Sequence, residues 1–329
     1  MLKDKNDRII NYLRISLTEA CNFSCFYCKS TKKIIKPYSP QRIYLNSDEV
    51  FLITKAFSEF GVSHIRLSGG EPLLRKDLCM LVKQISRLSP VKDLSLTTNG
   101  FHLGKYAQSL KSSGMQRVNI SLDSIVPSKF KKITGGGDLK KVLKGIDAAI
   151  EAGLTPLKIN MVVMKGINDD ELIPIVKFCI KKKAILRLIE CMPIGNSALD
   201  VSKKHIPSNE IRNKVAKYFS LEKTTMHGPG PAWYEYIKGD GLVIGFISAV
   251  SQHFCKNCNR IRLTATGKLH LCLGHEKQVN LAAIVRRPDV SIQELKRAIQ
   301  AAVLKKPDIH CFDKHGATAN RRIMSAIGG

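Results

Sequence analysis

Three cysteines lie within eight residues near the start of the chain. Cys21, Cys25 and Cys28 are separated by three and then two residues. They follow an apolar run, residues 13–18, which predicts a strand that ends in a loop. Thiolates on one loop can bind one soft metal centre, and three of them leave a coordination position open for chemistry. The spacing admits zinc, but it favours an iron–sulfur cluster because no fourth Cys or His follows closely.

A second set of cysteines lies in the last third of the chain. Cys255 and Cys258 form a CxxC pair, and Cys272 follows after a predicted hairpin. These residues again supply three thiolates, so a zinc site and an iron–sulfur cluster both stay open. Three histidines are close enough in sequence to complete a zinc site: His253, His270 and His275.

Two further motifs could bind a polar substrate. Arg260 and Arg262 alternate on one predicted strand, so both could bind an anion, although a solvated pair explains them as well. Residues 69–72, Gly-Gly-Glu-Pro, follow a predicted strand and offer backbone N–H groups and a carboxylate to a small molecule. An ordinary turn between a strand and a helix accounts for this motif equally well.

The composition is that of a globular protein. The 329 residues include 44% hydrophobic and 24% charged residues. No apolar run approaches the roughly 20 residues of a membrane span, and the first residues do not resemble a signal peptide. Ten cysteines without an export signal indicate reduced thiols. We therefore expect a cytoplasmic protein with no membrane partner.

The chain also carries a large positive charge. Its 53 Lys and Arg against 27 Asp and Glu give a net charge of +26. Such a field attracts nucleic acid, a membrane surface or a small phosphorylated substrate. The basic residues are spread along the whole chain, which is also typical of solvated lysine-rich surfaces. We therefore expect no nucleic-acid partner.

Strands and helices alternate over the first 195 residues. Six predicted strands are each followed by polar or glycine residues, and all but the last by a helix: 13–18, 64–68, 94–97, 117–122, 157–164 and 185–191. This alternation predicts the α/β class with a parallel sheet. Six units are fewer than a closed (β/α)8 barrel needs, so we expect a partial (β/α)6 TIM-like barrel. The first cysteine loop then lies at the barrel mouth.

The alternation ends after Gly195. Short strands are predicted at 233–237, 242–250 and 261–271, and an amphipathic helix at 289–304. We therefore expect two domains, a barrel at 1–200 and a smaller α+β module at 201–329 that closes the barrel mouth.

The cysteine motif with Tyr27, followed by Gly-Gly-Glu-Pro, resembles the radical S-adenosylmethionine superfamily. Further segments, in order along essentially the whole chain, resemble the GTP 3′,8-cyclase family: 97–100, 119–123, 165–168, 254–263 and the terminal 328–329. This resemblance implies a lyase in the first step of molybdenum cofactor (molybdopterin) biosynthesis.

The resemblance implies two 4Fe–4S clusters and S-adenosyl-L-methionine as cofactors. The first cluster would bind Cys21, Cys25 and Cys28, with S-adenosylmethionine on its open iron. The second would bind Cys255, Cys258 and Cys272 and contact the guanine base. By the same resemblance, Tyr27, Gly70, Ser121 and Met192 line the S-adenosylmethionine site. The implied GTP contacts are Arg14, Arg66, Thr97, Lys158, Arg260 and Arg262. The implied catalytic residues are Arg187, Arg260 and Arg262.

The implied reaction begins with reductive cleavage of S-adenosylmethionine to a 5′-deoxyadenosyl radical. This radical would take hydrogen from ribose C3′ of GTP, and C3′ would add to guanine C8. The product would be (8S)-3′,8-cyclo-7,8-dihydroguanosine 5′-triphosphate. Implied partners are a low-potential electron donor such as flavodoxin, the downstream cyclic pyranopterin monophosphate synthase, and a second copy in a homodimer. The Gly-Gly end is expected to reach into the site.

The chain departs from the family pattern in two places. His64 stands where some members carry Lys, which would weaken one phosphate contact or make it pH-dependent. Residues 29–33 differ from the usual continuation after the third cysteine. Two other functions stay open: a peptide-modifying radical S-adenosylmethionine enzyme, which generally has more C-terminal cysteines, and a non-catalytic protein that binds zinc and nucleic acid. The latter gives Gly-Gly-Glu-Pro and the Gly-Gly end no role, and 6% aromatic residues offer few platforms for base stacking.

Overall fold

The computed structural model describes residues 1–28, 44–194, 203–226, 228–310, 312 and 324–328. One continuous sheet runs through the molecule, in the order β12-β11-β10-β1-β2-β3-β4-β5-β6-β9-β8-β7. Its strands are β1 Tyr12–Ser16, β2 His64–Ser68, β3 Asp93–Thr98, β4 Arg117–Ser121, β5 Lys158–Val163, β6 Ile185–Glu190, β7 Leu221–Lys223, β8 Trp233–Ile237, β9 Leu242–Ile247, β10 Arg260–Leu263, β11 Lys268–His270 and β12 Gln278–Asn280.

The centre of the sheet is a parallel α/β barrel. β1 to β6 pair in chain order as parallel neighbours, which confirms the six predicted strands and the partial barrel. Two strands of the last third extend this parallel set, because β10 pairs with β1 and β9 with β6. The remaining outer strands pair antiparallel. The C-terminal part therefore joins the barrel at both ends of its strand order.

The helices pack against one face of this sheet, except the last, of which Met324 lines a cavity inside the barrel. They span Ser47–Glu59, Leu78–Ser86, Leu103–Ser112, Pro127–Thr134, Leu139–Glu151, Leu172–Lys182, Ser208–Ala216, Ala282–Val285, Ile292–Val303 and Met324–Ile327. The first helix begins with a capping box formed by Asn46 and Glu49. The eight-residue helix Pro127–Thr134 was not predicted, because its sequence offers only a short apolar pattern among lysines. Within the described ranges, no helix is long and apolar enough to cross a bilayer.

Polarity alternates along each barrel strand. In β1, Leu13 and Ile15 are fully buried in the hydrophobic core that the helices cover, whereas Arg14 lines a cavity inside the barrel. The same alternation puts Ile159 in the core and Asn160 at the cavity. The barrel interior is consequently polar and rich in arginine.

The two cysteine sets lie at opposite ends of the barrel strands. The first follows the carboxyl end of β1. The second precedes β10, whose first residue, Arg260, is level with Tyr12 at the amino end of β1. The five residues of β1 span roughly 13 Å at 3.3 Å per residue. Because β10 runs parallel to β1, the C-terminal cysteines lie at the amino end of the strands and not with the first set at the mouth. The division into 1–200 and 201–329 stays a prediction.

Candidate active site

Both cysteine sets line one cavity of about 280 Å³ inside the barrel. Sixteen of the site residues expected from sequence line it: Arg14, Cys21, Cys25, Tyr27, Cys28, Arg66, Gly70, Thr97, Ser121, Arg187, Met192, Cys255, Cys258, Arg260, Arg262 and Cys272. Lys158 is buried and does not line the cavity. The barrel thus has one internal space with a thiol triad at each end.

The Gly-Gly-Glu-Pro turn holds the first cysteine loop in place. The N–H of Gly70 donates to the Thr18 carbonyl at 2.6 Å, and the N–H of Glu71 to that of Ala20 at 2.7 Å. A Cβ on Gly70 would overlap the Ala20 carbonyl oxygen, so only glycine allows this approach. Of the two interpretations left open by the sequence, these two bonds favour the ordinary turn, because both N–H groups bind the chain just before Cys21.

The Glu71 carboxylate is likewise used inside the protein. It is fully buried and accepts hydrogen bonds from the Leu73 N–H (3.0 Å), the Thr98 hydroxyl (2.7 Å) and the Asn99 N–H (2.8 Å). Burial raises its pKa to about 7, although these bonds act in the opposite direction. Glu71 thus joins the turn after β2 to the turn after β3, and it does not contact the cavity.

A short helix supports the first cysteine loop from the other side. The N–H groups of Ser24 and Phe26 donate to the carbonyls of Thr134 (2.8 Å) and Ile133 (3.2 Å), at the end of the helix Pro127–Thr134. The Phe23 ring packs edge-to-face against Phe130, with ring centroids 5.9 Å apart. The cysteine loop is therefore fixed by the turn after β2 and by a helix that sequence reasoning missed.

Tyr27 and Asp123 form a buried pair beside this loop. The Tyr27 hydroxyl donates to Asp123 at 2.5 Å, and the Val162 N–H donates to the other carboxylate oxygen at 2.9 Å. Burial raises the pKa of Asp123 to about 6 and, together with Asp123, the pKa of Tyr27 well above its usual value. Asp123 was not predicted as a site residue. Its place just after the carboxyl end of β4 was the available signal.

The second triad is built on a tight turn. Cys255 begins the 3₁₀ helix Cys255–Asn257, and the Cys258 N–H donates to the Cys255 carbonyl at 3.1 Å. Burial acts to raise the pKa of Cys258, but Lys306 and Arg260 bring it below its usual value, which favours a thiolate. Burial raises the pKa of Cys272. Soft thiolate donors of this kind fit an iron–sulfur cluster.

The histidines near the second triad are placed differently. Of the three histidines considered from sequence, His270 lines the cavity, whereas the His275 ring lies 2.8 Å from the Ile309 carbonyl and His253 packs against the ring of His310, which also lines the cavity. Across residues 1–28, 44–194, 203–226, 228–310, 312 and 324–328, no three Cys, His, Asp or Glu side chains are grouped to hold a single metal ion. In an iron–sulfur cluster the thiolates bind different irons, so they need not meet at one point.

Three arginines lie side by side between the triads. Strand register puts Arg14 level with Arg262 on one neighbouring strand and with Arg66 on the other. Burial and the charges of Arg262 and Arg66 lower the pKa of Arg14 well below its usual value. Among the described residues, none of the three has a carboxylate in ion-pair contact. Their mutual repulsion would be relieved by a ligand with several negative charges.

Arg187 and Lys158 extend this positive region. The Arg187 guanidinium donates to the side-chain oxygens of Asn160 (2.8 Å) and Asn119 (2.5 Å). Burial and the nearby Arg187, Arg117 and other cations lower the pKa of Lys158 to about 7. Lys158 precedes Asn160 by two residues on the same face of β5, so it lies one layer towards the amino end.

The C-terminal segment enters the cavity. The Gly328 carbonyl accepts a hydrogen bond from Arg262 at 2.6 Å, and a Cβ on Gly328 would lie 2.8 Å from the Ser68 hydroxyl oxygen. This confirms the expectation for Gly328, while Gly329 and residues 29–33 lie outside the described residues. His64 begins β2, with its ring 6.0 Å from that of Tyr12, and does not line the cavity.

Family models match both parts of the chain. Residues 15–179 match the Radical SAM superfamily, and residues 184–312 match Molybdenum Cofactor Synthesis C. Among solved structures, SuiB of Streptococcus suis bound to its precursor peptide SuiA has a TM-score of 0.61 at 15% identity, over 97% of this chain and 76% of that one. At this identity the similarity shows the fold alone.

Full-length relatives identify the family more specifically than these partial matches. A GTP 3′,8-cyclase of Hydrogenovibrio crunogenus is 44% identical over 331 residues, which cover 100% of this chain and 99% of the relative. One of Saccharophagus degradans is 39% identical and covers 100% and 98%. Such identity over both complete lengths exceeds what a shared fold alone would produce. The chain therefore belongs to the GTP 3′,8-cyclase family of the radical S-adenosylmethionine superfamily.

Proposed function

We propose that this chain converts GTP to (8S)-3′,8-cyclo-7,8-dihydroguanosine 5′-triphosphate in the first step of molybdenum cofactor biosynthesis. The observation that carries the proposal is the single cavity with a thiol triad at each end and adjacent arginines between them. Membership of the family supplies the reaction. A peptide substrate, suggested by the fold of SuiB, has no separate observation in its favour.

The first triad, Cys21, Cys25 and Cys28, would hold a 4Fe–4S cluster with S-adenosylmethionine. When bound, these cofactors supply a 5′-deoxyadenosyl radical. Gly69 and Gly70 line the cavity without side chains and leave room beside the cysteines. Ser121 and Met192 line the same end and, with Tyr27, would position S-adenosylmethionine.

The second triad would hold a second 4Fe–4S cluster near the guanine base. Its donor set fits this cofactor, because Cys258 lies beside two cations that favour its thiolate. The number of clusters is therefore a proposal that rests on the chemistry of these donors.

The arginines would bind the triphosphate. Arg14, Arg66 and Arg262 present adjacent guanidiniums, and Arg260 and Arg187 extend the positive surface on either side. Charge-assisted hydrogen bonds to phosphate oxygens would hold GTP in one orientation and place its ribose between the two triads. Thr97, whose hydroxyl has no partner in the described part of the chain, offers a further hydrogen bond. Lys158 would add charge from the layer beneath.

Two partners follow from this chemistry. Reductive cleavage consumes an electron, so we propose an external low-potential donor such as flavodoxin. The cyclised triphosphate is an intermediate of the cofactor pathway, so cyclic pyranopterin monophosphate synthase would consume it next. A cytoplasmic location and a homodimer stay predictions.

Anaerobic reconstitution of the full chain tests the proposal. We expect about eight irons per chain from two four-iron clusters and 5′-deoxyadenosine release that depends on GTP. Substitution of the second triad by Ala should leave about four irons. Tightly held zinc without iron would contradict the cofactor assignment, and 5′-deoxyadenosine formation indifferent to GTP would contradict the substrate.

A further inference from the structure

Lys306 is a buried cation beneath the second triad. Its side chain is 1% exposed, although it lies in a lysine-rich stretch and its neighbour Lys305 is exposed. The ammonium donates to the carbonyls of Arg260 (2.8 Å) and Leu271 (2.5 Å). Arg260 follows the CxxC turn and Leu271 directly precedes Cys272. One lysine therefore joins both segments that carry the second triad.

The charge of Lys306 acts on two cysteines of the triad, Cys258 and Cys272. Its hydrogen bonds to the two carbonyls hold the ammonium between the segments that carry these cysteines. In the portion of the chain that the structure describes, no carboxylate forms an ion pair with Lys306. The thiols are thus its only source of counter-charge there.

Neighbouring carboxylates already have other partners. Asp4 pairs with Arg8 at 2.6 Å, and Asp308 pairs with Lys5 at 3.0 Å. Arg8 is itself buried and donates to the Cys255 carbonyl at 2.9 Å. A buried ammonium without an anion is costly by several kcal/mol. Negative charge at the triad would therefore stabilise the ammonium of Lys306.

We infer that Lys306 is a positioning residue that raises the reduction potential of an iron–sulfur cluster on Cys255, Cys258 and Cys272. Reduction adds negative charge to a cluster, and a buried cation beside one of its sulfurs stabilises the reduced state. The inference rests on the proposed function, which places a cluster there. It adds a residue that acts on the cluster through its charge, from between the segments that carry Cys258 and Cys272, and that does not line the cavity.

The test uses the full chain with Cys21, Cys25 and Cys28 replaced by Ala, so that only the second triad loads with iron. After anaerobic reconstitution, the iron content of each variant is counted. The midpoint potential is measured by a redox titration that is monitored by electron paramagnetic resonance. We expect Lys306→Gln to keep its iron and to shift the potential to a more negative value. Lys306→Arg should restore the parent potential, and Lys305→Gln, at the exposed neighbour, should leave it unchanged.

Each result has a distinct meaning. A Lys306→Gln variant with full iron and the parent potential would overturn the inference, and so would an equal shift in Lys305→Gln. Should Lys306→Gln lose its iron, the inference requires Lys306→Arg to keep both the iron and the parent potential, and loss of iron there would overturn it. A parent without iron would instead contradict the proposed function.

Discussion

The arginine side chains that line the cavity lie close together, so their positive charges repel one another. Burial and the charge of Arg260 lower the pKa of Arg262 to about 10. Burial and the charge of Arg66 lower the pKa of Arg187 to about 10. Neither residue forms an ion pair with a carboxylate among the described residues. A triphosphate would supply the missing negative charge, so the residues that destabilise the empty cavity are those that would bind GTP.

We expect Lys158 to make GTP binding depend on pH. Its lowered pKa of about 7 means that it is charged below pH 7 and neutral above it. Because triphosphate binding favours the charged form, GTP affinity should fall as pH rises from 7 to 9, by at most about tenfold per pH unit. Lys158→Arg, which stays charged, should remove this slope. Equilibrium binding of GTP at several pH values measures it, and the same slope in both proteins would contradict the role.

At the residue scale, the sequence predicted which side chains meet but not all of their roles. The alternation of Arg260 and Arg262 correctly placed both on the cavity face. The Glu71 carboxylate, by contrast, binds neighbouring turns. Spacing cannot distinguish a carboxylate that faces a ligand from one that joins two turns. Lys306 carried no signal at all, since many lysines in the chain are exposed.

The turns that carry the chemistry depend on close backbone contacts. Gly70→Ala would push the turn after β2 away from the Ala20 carbonyl, because the new Cβ would overlap that oxygen. We expect this substitution to remove iron from the first triad and to spare the second. Iron counting with the second triad intact measures the loss.

A matched glycine provides the control for Gly70→Ala. Gly104 lies in the helix Leu103–Ser112, and a Cβ there would meet no atom within 4 Å. Gly104→Ala should retain all iron and stabilise the helix by up to about 1 kcal/mol. Equal iron content in the two variants would show that the close contact at Gly70 does not position the first cysteine loop.

Glu190 fixes the loop that leads to the second triad. At the end of β6 its carboxylate accepts hydrogen bonds from the N–H groups of Ser208 (2.7 Å), Val250 (2.8 Å) and Ser251 (2.9 Å). Burial acts to raise its pKa, but His205, Ser251 and these N–H groups lower it to about 2. The ionised carboxylate therefore stabilises the fold.

Glu190→Gln should lower the free energy of unfolding at pH 7 by about 3 kcal/mol. Because the pKa of Glu190 is lower in the folded state, this contribution is complete above about pH 4.5 and is lost as pH falls towards 2. Urea unfolding of the cluster-free chain at pH 7 and pH 3 measures the difference. Glu210→Gln, at an exposed position, should change stability by less than about 0.5 kcal/mol. A difference for Glu190→Gln that does not shrink at pH 3 would contradict this role.

At the scale of elements, periodicity predicted the barrel strands and most helices. The helices expected after the third and fourth strands include Leu103–Ser112 and Leu139–Glu151. The helix Pro127–Thr134 was not predicted, because eight residues give too few turns for a helical pattern to be recognised in the sequence.

The whole molecule differs from its expected plan in how the C-terminal part joins the barrel. Predicted as a module over the mouth, it adds β9 beyond β6 and β10 beside β1. Strand partners far apart in sequence leave no local signal, so the position of the second triad at the amino end of the strands could not be predicted. The result is a cavity that runs between two triads, with the positive charge concentrated between them.

The cavity between the two triads is proposed to direct radical chemistry to the ribose of GTP. The most direct test is incubation of the reconstituted chain with S-adenosylmethionine, a reductant and GTP deuterated at C3′, followed by mass spectrometry of the 5′-deoxyadenosine. We predict 5′-deoxyadenosine that carries one deuterium, together with the cyclised triphosphate. Unlabelled 5′-deoxyadenosine formed alongside that product would contradict the proposal.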